Sequence, residues 1–107
     1  MVQQVRQKTL ADTTALDTTT TYAIDFEWAA SAAVQAKWSE TSVSGNIILQ
    51  KSCDGEDWED VGSSTNLDTA TKYFAEVDNK GYHYLQLKVT ISSGELDTFK
   101  AVSNIKG

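Results

Sequence analysis

The sequence predicts an all-β protein, an antiparallel β-sandwich of about eight short strands. Apolar and polar residues alternate with period two over much of the chain, as they do in half-buried strands. Turn-forming Gly, Asp, Asn and Ser residues separate the alternating runs at short intervals. The pattern favours a jelly-roll-like sandwich, with an immunoglobulin-like sandwich as the alternative. Because 107 residues are enough for one hydrophobic core, we expect a single domain over residues 1–107.

The first quarter of the chain predicts one clear strand. Residues 1–10 are polar and alternate weakly, which is typical of an N-terminal arm or an edge strand. Residues 12–21 are almost all Thr, Ala and Asp and are predicted to form a loop. Residues 22–28 alternate cleanly and predict a half-buried strand in which Trp28 faces the core.

An alanine-rich segment follows, and its composition alone favours a helix. Val34, Ala36 and Trp38, however, alternate with polar residues, and no capping residue is placed to begin a helix. We therefore expect a strand over residues 33–39.

A hairpin over residues 45–63 is the clearest local signal in the chain. The apolar run 47–49 leads to an Asp54-Gly55 turn, and both turn residues tolerate the positive φ of tight hairpin turns. Trp58 then opens a second, short strand. Three further strands are predicted over residues 72–77, 82–91 and 96–105, with a turn at 92–94.

Composition argues against several classes of function. The net charge of −6 disfavours nucleic-acid binding, which requires a basic surface for the phosphates. No apolar run is long enough to span a bilayer, and the N-terminal residues lack the apolar segment of a secretory signal. The single cysteine, Cys53, cannot form an internal disulfide. We therefore expect synthesis in a cytoplasm and no nucleic-acid or membrane partner.

No residue pattern points to catalysis or to a cofactor. His83 is the only histidine and lies on the apolar face of its predicted strand, which favours a packing role. Cys53 precedes a run of acidic residues, which disfavours a reactive thiolate. We therefore expect a protein that is not an enzyme and that binds no cofactor.

An acidic cluster surrounds the hairpin turn, and Asp54, Glu56 and Asp57 are its candidates for a calcium site. Hard cations take several oxygen ligands from one loop, but the spacing here does not match an EF-hand loop. Solvated loop charges are the alternative, and we favour them, so no metal site is predicted.

Aromatic residues supply the remaining candidates for binding. Tyr82 and Tyr84 are predicted to share one strand face with Lys88, which suits either contact with another protein chain or a merely amphipathic surface. Trp38 and Trp58 fit either stacking on a sugar or anchoring of the core.

The hairpin and the later strand resemble parts of two kinds of known protein. A strand followed by Ser52, Asp54-Gly55 and Trp58 resembles the hairpin of discoidin-type (coagulation factor type C) jelly-roll domains. The same hairpin followed by residues 81–89, GYHYLQLKV, is more similar to small β-sandwich proteins of tailed-bacteriophage virions. Discoidin domains are longer and usually closed by a disulfide, so no lipid or glycan site is carried over from them.

The resemblance to virion proteins implies a structural subunit of a bacteriophage particle that decorates the capsid, joins head and tail, or associates with the tail or its fibres. It implies other virion chains as partners, a homo-oligomeric state, and a location in the virion after synthesis in the host cytoplasm. The contact residues that we expect are Val2, Val5, Tyr82, Tyr84 and Lys88. The alternative is a carbohydrate-binding module in which Trp38 or Trp58 stacks on the glycan.

Overall fold

Two long antiparallel strands, Ser31–Ser52 and Tyr84–Lys106, run side by side through the fold. The computed structural model describes residues 5–24, 30–79, 81–82 and 84–107. In chain order, the six strands of this described part are β1 (Val5–Leu16), β2 (Thr20–Ile24), β3 (Ser31–Ser52), β4 (Glu59–Asn66), β5 (Lys72–Asp78) and β6 (Tyr84–Lys106). Within these ranges no helix is long and apolar enough to cross a membrane.

The sheet folds into two layers because β3 and β6 each contribute one half to both. The first half of β3 pairs with β5 and with the second half of β6, which in turn pairs with β1. The second half of β3 pairs with β4 and with the first half of β6, which pairs with β2. We call the set β1-β6-β3-β5 the first layer and the set β2-β6-β3-β4 the second layer.

Counting the two halves of β3 and β6 separately gives eight strand segments in the described chain, all paired antiparallel. The first segment pairs with the eighth, the second with the seventh, the third with the sixth and the fourth with the fifth. An immunoglobulin-like sandwich pairs its first strand with its second instead. The predicted all-β antiparallel fold of about eight strands is therefore confirmed, and its nested pairing differs from that of the immunoglobulin-like alternative.

Both long strands bend where they pass between the layers, and two glycines permit the bend. A Cβ on Gly94, whose φ is 77°, would overlap the carbonyl oxygen of Ser42. A Cβ on Gly45 would overlap the carbonyl oxygen of Thr90. The ladder between β3 and β6 shifts register at this corner. The predicted turn at 92–94 is therefore wrong, because these residues bend one continuous strand without reversing its direction.

The alanine-rich segment is a strand, as its alternation predicted. Ala32, Val34, Ala36 and Trp38 are buried, and the residues between them are exposed. Both layers contribute to one core cluster, so the small side chains of this segment share it with larger ones. The second layer supplies Ile24, Ile47, Leu49, Leu85, Leu87 and Val89.

The strand β1 is longer than the sequence predicted. Residues 5–10 lie in β1 at the edge of the first layer, paired with β6. The loop predicted at 12–21 is wrong, because only residues 17–19 connect β1 to β2. Threonine is β-branched and polar, which suits the solvent-facing side of an edge strand.

Two buried side chains hydrogen-bond to backbone groups that the sheet leaves available. The Nε1 group of Trp38 donates to the carbonyl oxygen of Leu67 at 3.1 Å. The hydroxyl oxygen of Tyr73 accepts the backbone N–H of Leu49 at 2.8 Å, beside a bulge in the β3–β4 ladder. Burial raises the pKa of Tyr73 above its ordinary value. These bonds connect β3 to β5 and to the end of β4.

Gly94→Ala should destabilise the protein far more than Gly62→Ala, although both glycines have positive φ. A Cβ on Gly62 would meet nothing within 4 Å, so this variant should lose only about 1–2 kcal/mol for the left-handed conformation. Gly94→Ala adds a backbone clash and should lose more than about 4 kcal/mol or fail to fold. Urea unfolding followed by tryptophan fluorescence measures the difference. Equal losses would contradict the close approach at the corner.

Tyr73→Phe should lower the free energy of unfolding by about 1–3 kcal/mol, because it leaves the buried Leu49 N–H without its acceptor. Tyr22→Phe is the matched control, since it keeps the ring that stacks at 5.9 Å on Phe99 and should change stability by less than about 0.5 kcal/mol. Thermal unfolding of both variants tests this difference, and a neutral Tyr73→Phe would refute the role given to the hydroxyl.

Candidate interaction surface

The loop between β3 and β4 is held by hydrogen bonds to two of its own side chains. Oδ1 of Asp54 accepts the backbone N–H groups of Glu56 at 2.8 Å and Asp57 at 2.9 Å. The Ser52 hydroxyl donates to the same oxygen at 3.0 Å and accepts the N–H groups of Asp54 and Gly55 at 3.2 and 2.9 Å. The amides of Asp57 and Glu56, and then the Ser52 hydroxyl, favour the charged carboxylate and lower the pKa of Asp54 to about 2.

The hydrogen bonds that Asp54 accepts also decide its role among the candidate calcium ligands Asp54, Glu56 and Asp57. Asp54 directs an oxygen at the backbone amides of Glu56 and Asp57, as in an Asx turn. Among the described residues, no group of three or more His, Cys, Asp or Glu side chains is placed to hold a metal ion. The carboxylate of Asp54 therefore has a structural role in shaping this loop.

The loop lies against the ring of Tyr84 at one end of the second layer. A Cβ on Gly55 would lie 3.4 Å from the ring atoms Cε2 and Cζ of Tyr84. Ser52 pairs with Tyr84 in the β3–β6 ladder and is only 3% exposed. The loop therefore covers Ser52, while 42% of Tyr84 stays exposed.

A row of polar side chains crosses the outer face of the second layer. Nε2 of Gln86 donates to Oε1 of Gln50 at 2.8 Å, and Nε2 of Gln50 donates to Oδ1 of Asp60 at 2.9 Å. These residues are direct cross-strand partners, so the two bonds link β6, β3 and β4. Lys88 lies on the same face of β6, two residues from Gln86. We call the face formed by Gln50, Asp60, Tyr84, Gln86 and Lys88 the ladder surface.

The two predicted contact tyrosines lie in different surroundings. Tyr84 is exposed on the ladder surface with Lys88. Tyr82 precedes β6 and packs against the core cluster, with its ring centroid 4.5 Å from Nζ of Lys51. A hydrogen bond with Tyr82 raises the pKa of Lys51. The expectation that both tyrosines share one face is therefore wrong, because the strand begins only at Tyr84.

Other candidates fall at or beyond the limits of the described chain. The backbone of Val5 pairs with Lys106 at the edge of the first layer. Val2, Trp28 and His83 lie outside the described residues.

Trp38 does not provide a platform for sugar stacking. Its side chain is 5% exposed, and its ring centroid lies 6.4 Å from that of Phe99. A stacking platform must present an open ring face, so the predicted glycan role of Trp38 is wrong because the core takes up the ring. Trp58 is half-buried just before β4, and its glycan role stays a prediction.

Sequence reasoning missed Phe74, which is 65% exposed on β5. It lies on the outer face of the first layer beside a cleft of about 700 Å³. The cleft is lined in part by Gln35, Lys37, Glu76, Lys100, Val102 and Asn104. The alternation of β5 could have found this residue, because burial of Tyr73 and Val77 places Phe74 on the opposite face.

No known family model and no curated protein matches this chain in sequence. Solved structures nevertheless share its fold. The SPBc2 prophage-derived protein YomS is 13% identical with a TM-score of 0.61, over 100% of this chain and 96% of YomS. The PBSX exported protein XepA is 13% identical with a TM-score of 0.67, over 94% of this chain and 36% of XepA. A protein of Bacillus endospore appendages, which form disulfide-linked pili, is 16% identical with a TM-score of 0.54, over 98% and 90%.

The carboxyl group of Asp54 should titrate near pH 2, below its ordinary pKa of 3.8. Because the folded pKa is the lower one, the stabilisation from this group is complete above the ordinary pKa and is lost as the pH falls through about 2. Carbon-detected NMR titration of the Asp54 carboxyl measures the midpoint directly. Asp54→Ala should lack this acid-dependent loss of stability, and Asp54→Asn should keep the turn without titrating. A midpoint near 3.8 would contradict the hydrogen-bonded loop.

Proposed function

We propose that this chain is a non-enzymatic structural subunit of a bacteriophage particle that works by binding other protein chains. The observation that carries the proposal is its likeness over nearly full length to the fold of the prophage-derived protein YomS. The similar fold in a protein of Bacillus endospore appendages, which form pili, supports a module used in larger assemblies, and the same fold occurs in the PBSX exported protein XepA. Capsid decoration, head–tail joining, and association with the tail or its fibres are the roles that such a module would fill.

The chemistry of the described residues supports binding rather than turnover. The described groups with shifted pKa are tied into the fold: Asp54 bonds to loop amides, Tyr73 to the Leu49 amide and Lys51 to Tyr82, and the ring of Tyr22 stacks on Phe99. Catalytic groups with shifted pKa values instead gather in a cleft where a substrate can reach them. The partners of this chain would be other virion proteins, not nucleic acid or membrane, and its place would be the virion after synthesis in the host cytoplasm.

The ladder surface is the face that we assign to a neighbouring virion protein. It presents an exposed aromatic ring, Tyr84, of a residue type enriched in protein interfaces, and the amide groups and Lys88 beside it would form a polar rim. The ring and the amides are held in place by the loop and by cross-strand hydrogen bonds, so little side-chain freedom is lost on binding. Tyr82, Val5 and Val2 are not among the residues that define the ladder surface, and they stay predicted contact residues.

When the phage genome that encodes this chain is induced, the chain should band with assembled particles in a density gradient. Quantitative mass spectrometry of the particle fraction measures its copy number. Lys88→Glu should reduce incorporation by about tenfold, because it reverses a charge at the proposed contact. Lys106→Glu, exposed at the end of the first layer and outside the ladder surface, is the matched control. A chain found only outside the particles, or equal incorporation of both variants, would contradict the proposal.

A further inference from the structure

Strand β5 has the most regular unpaired edge in the described chain. The other edge strands are β1, β2 and β4. β1 and β4 each carry a register shift against their neighbour, and β2 has only five residues. β5 runs for seven residues in unbroken register with β3, and no described strand pairs with its other side. Natural edge strands carry bulges, prolines or charged side chains that oppose pairing with another chain. β5 has no bulge and no proline, so only its charged side chains could oppose such pairing.

The backbone hydrogen bonds of β5 show which of its residues face the open edge. Trp38 donates its N–H to the carbonyl oxygen of Thr71 at 3.0 Å, and Asn79 donates to that of Ala30 at 2.8 Å. In an antiparallel pair, residues that bond to the neighbour alternate with residues that do not. The odd-numbered residues from 71 to 79 therefore bond to β3. The N–H and C=O groups of Lys72, Phe74, Glu76 and Asp78 point to the open edge.

These edge residues also carry the exposed side chains of β5. Phe74 is 65% exposed, and Lys72 and Glu76 flank it on the same face. An exposed phenylalanine centred between a cation and an anion at equal spacing has a self-complementary arrangement. Two such strands in antiparallel register place each cation against an anion and each ring against its equivalent.

We propose that β5 pairs antiparallel with β5 of a second copy of this chain, about a twofold axis at Phe74. In this register Phe74 lies opposite the partner's Phe74, and Lys72 lies opposite the partner's Glu76. All three residues already direct their backbone N–H and C=O groups to the edge, so the register forms a complete ladder. A shift by one pair would set Phe74 against the partner's Glu76 and lose the contact between rings.

The charges of the first layer favour this register. Lys72 lies directly opposite Lys37, which lies opposite Lys100, so three lysines form one row across the layer. The far end of the row is matched by Asp12, the cross-strand partner of Lys100. The partner's Glu76 would match the near end. Glu76 itself faces Ala33 in its own ladder and gains a cation from the partner's Lys72.

The dimer would join two first layers into one sheet of eight strands, with the two copies of β5 at its centre. The inference rests on the proposed function, because it names one contact by which the chain would enter a larger assembly. It leaves the ladder surface open, since that surface belongs to the second layer. A contact between copies and a contact with another protein could then form at the same time on different layers of one domain.

Charge reversal tests the pairing. Sedimentation velocity over a wide range of protein concentrations should show a dimer for the natural chain. Lys72→Glu or Glu76→Lys alone should weaken dimerisation by at least about tenfold, because each places like charges together twice in a symmetric dimer. The double variant Lys72→Glu/Glu76→Lys should restore it. Lys8→Glu, a charge reversal on the opposite edge strand β1 where the side chain is exposed, should have no effect.

Disulfide trapping provides a second measurement that does not depend on affinity. In a Cys53→Ser background, Phe74→Cys should form a dimer under mild oxidation, because opposed residues lie about 5.5 Å apart. Gln35→Cys, exposed one strand inward, should stay monomeric, because its equivalents would be about 15 Å apart. A natural chain that is monomeric at every concentration, or equal crosslinking of the two variants, would overturn the proposal.

These results separate the two proposals. A chain that dimerises through β5 but never enters particles would retain this inference and refute the proposed function. A chain that enters particles but is indifferent to the charge reversals would do the opposite.

Discussion

The antiparallel ladder between β3 and β6 is the constraint on which the rest of the structure depends. Each strand is long enough to serve both layers, and every other described strand pairs with one of these two. The ladder sets the position of the edge strands β1 and β5 in one layer and β2 and β4 in the other. It also sets the register of the outer faces, so the Gln86–Gln50–Asp60 bonds and the Lys72–Lys37–Lys100 row both follow from it.

The two outer faces differ in how their side chains are satisfied. On the second layer, hydrogen bonds join neighbouring strands, and the Asp54 loop covers the end of the ladder beside Tyr84. On the first layer, three lysines stand in one row and Phe74 is largely exposed at the edge. A face whose groups bond to one another is suited to transient contact, whereas an edge with unmatched charges and an exposed ring is improved by permanent pairing. The two proposed contacts therefore depend on different features of one domain: the hydrogen-bonded ladder surface in one case and the open edge of β5 in the other.

The sequence predicted the sandwich well because period-two alternation reports burial directly, even where alanine favours a helix by propensity. It could not predict that the segments proposed at 82–91 and 96–105 contribute to one strand, Tyr84–Lys106, because a Ser-Ser-Gly segment has the composition of a turn whether the chain reverses or bends. The loop predicted at 12–21 was wrong for a related reason, since a polar edge strand and a loop share a composition. Of the two alternatives for Trp38, the structure favours the core anchor, and Phe74, for which no role was predicted, is exposed, because exposure depends on which face of a strand meets the core.

The pairing of β1 with the second half of β6 has a consequence for synthesis. The first described strand bonds to residues 96–106, near the other end of the chain. During translation, β1 cannot pair with its partner until residues 96–106 have left the ribosome, so the first layer closes only after both long strands have been made. Because strands distant in sequence must meet before either layer is complete, folding should be slow for a domain of this size. The absence of proline removes isomerisation as a further delay, which shortens the time for which the unpaired edges are open to aggregation.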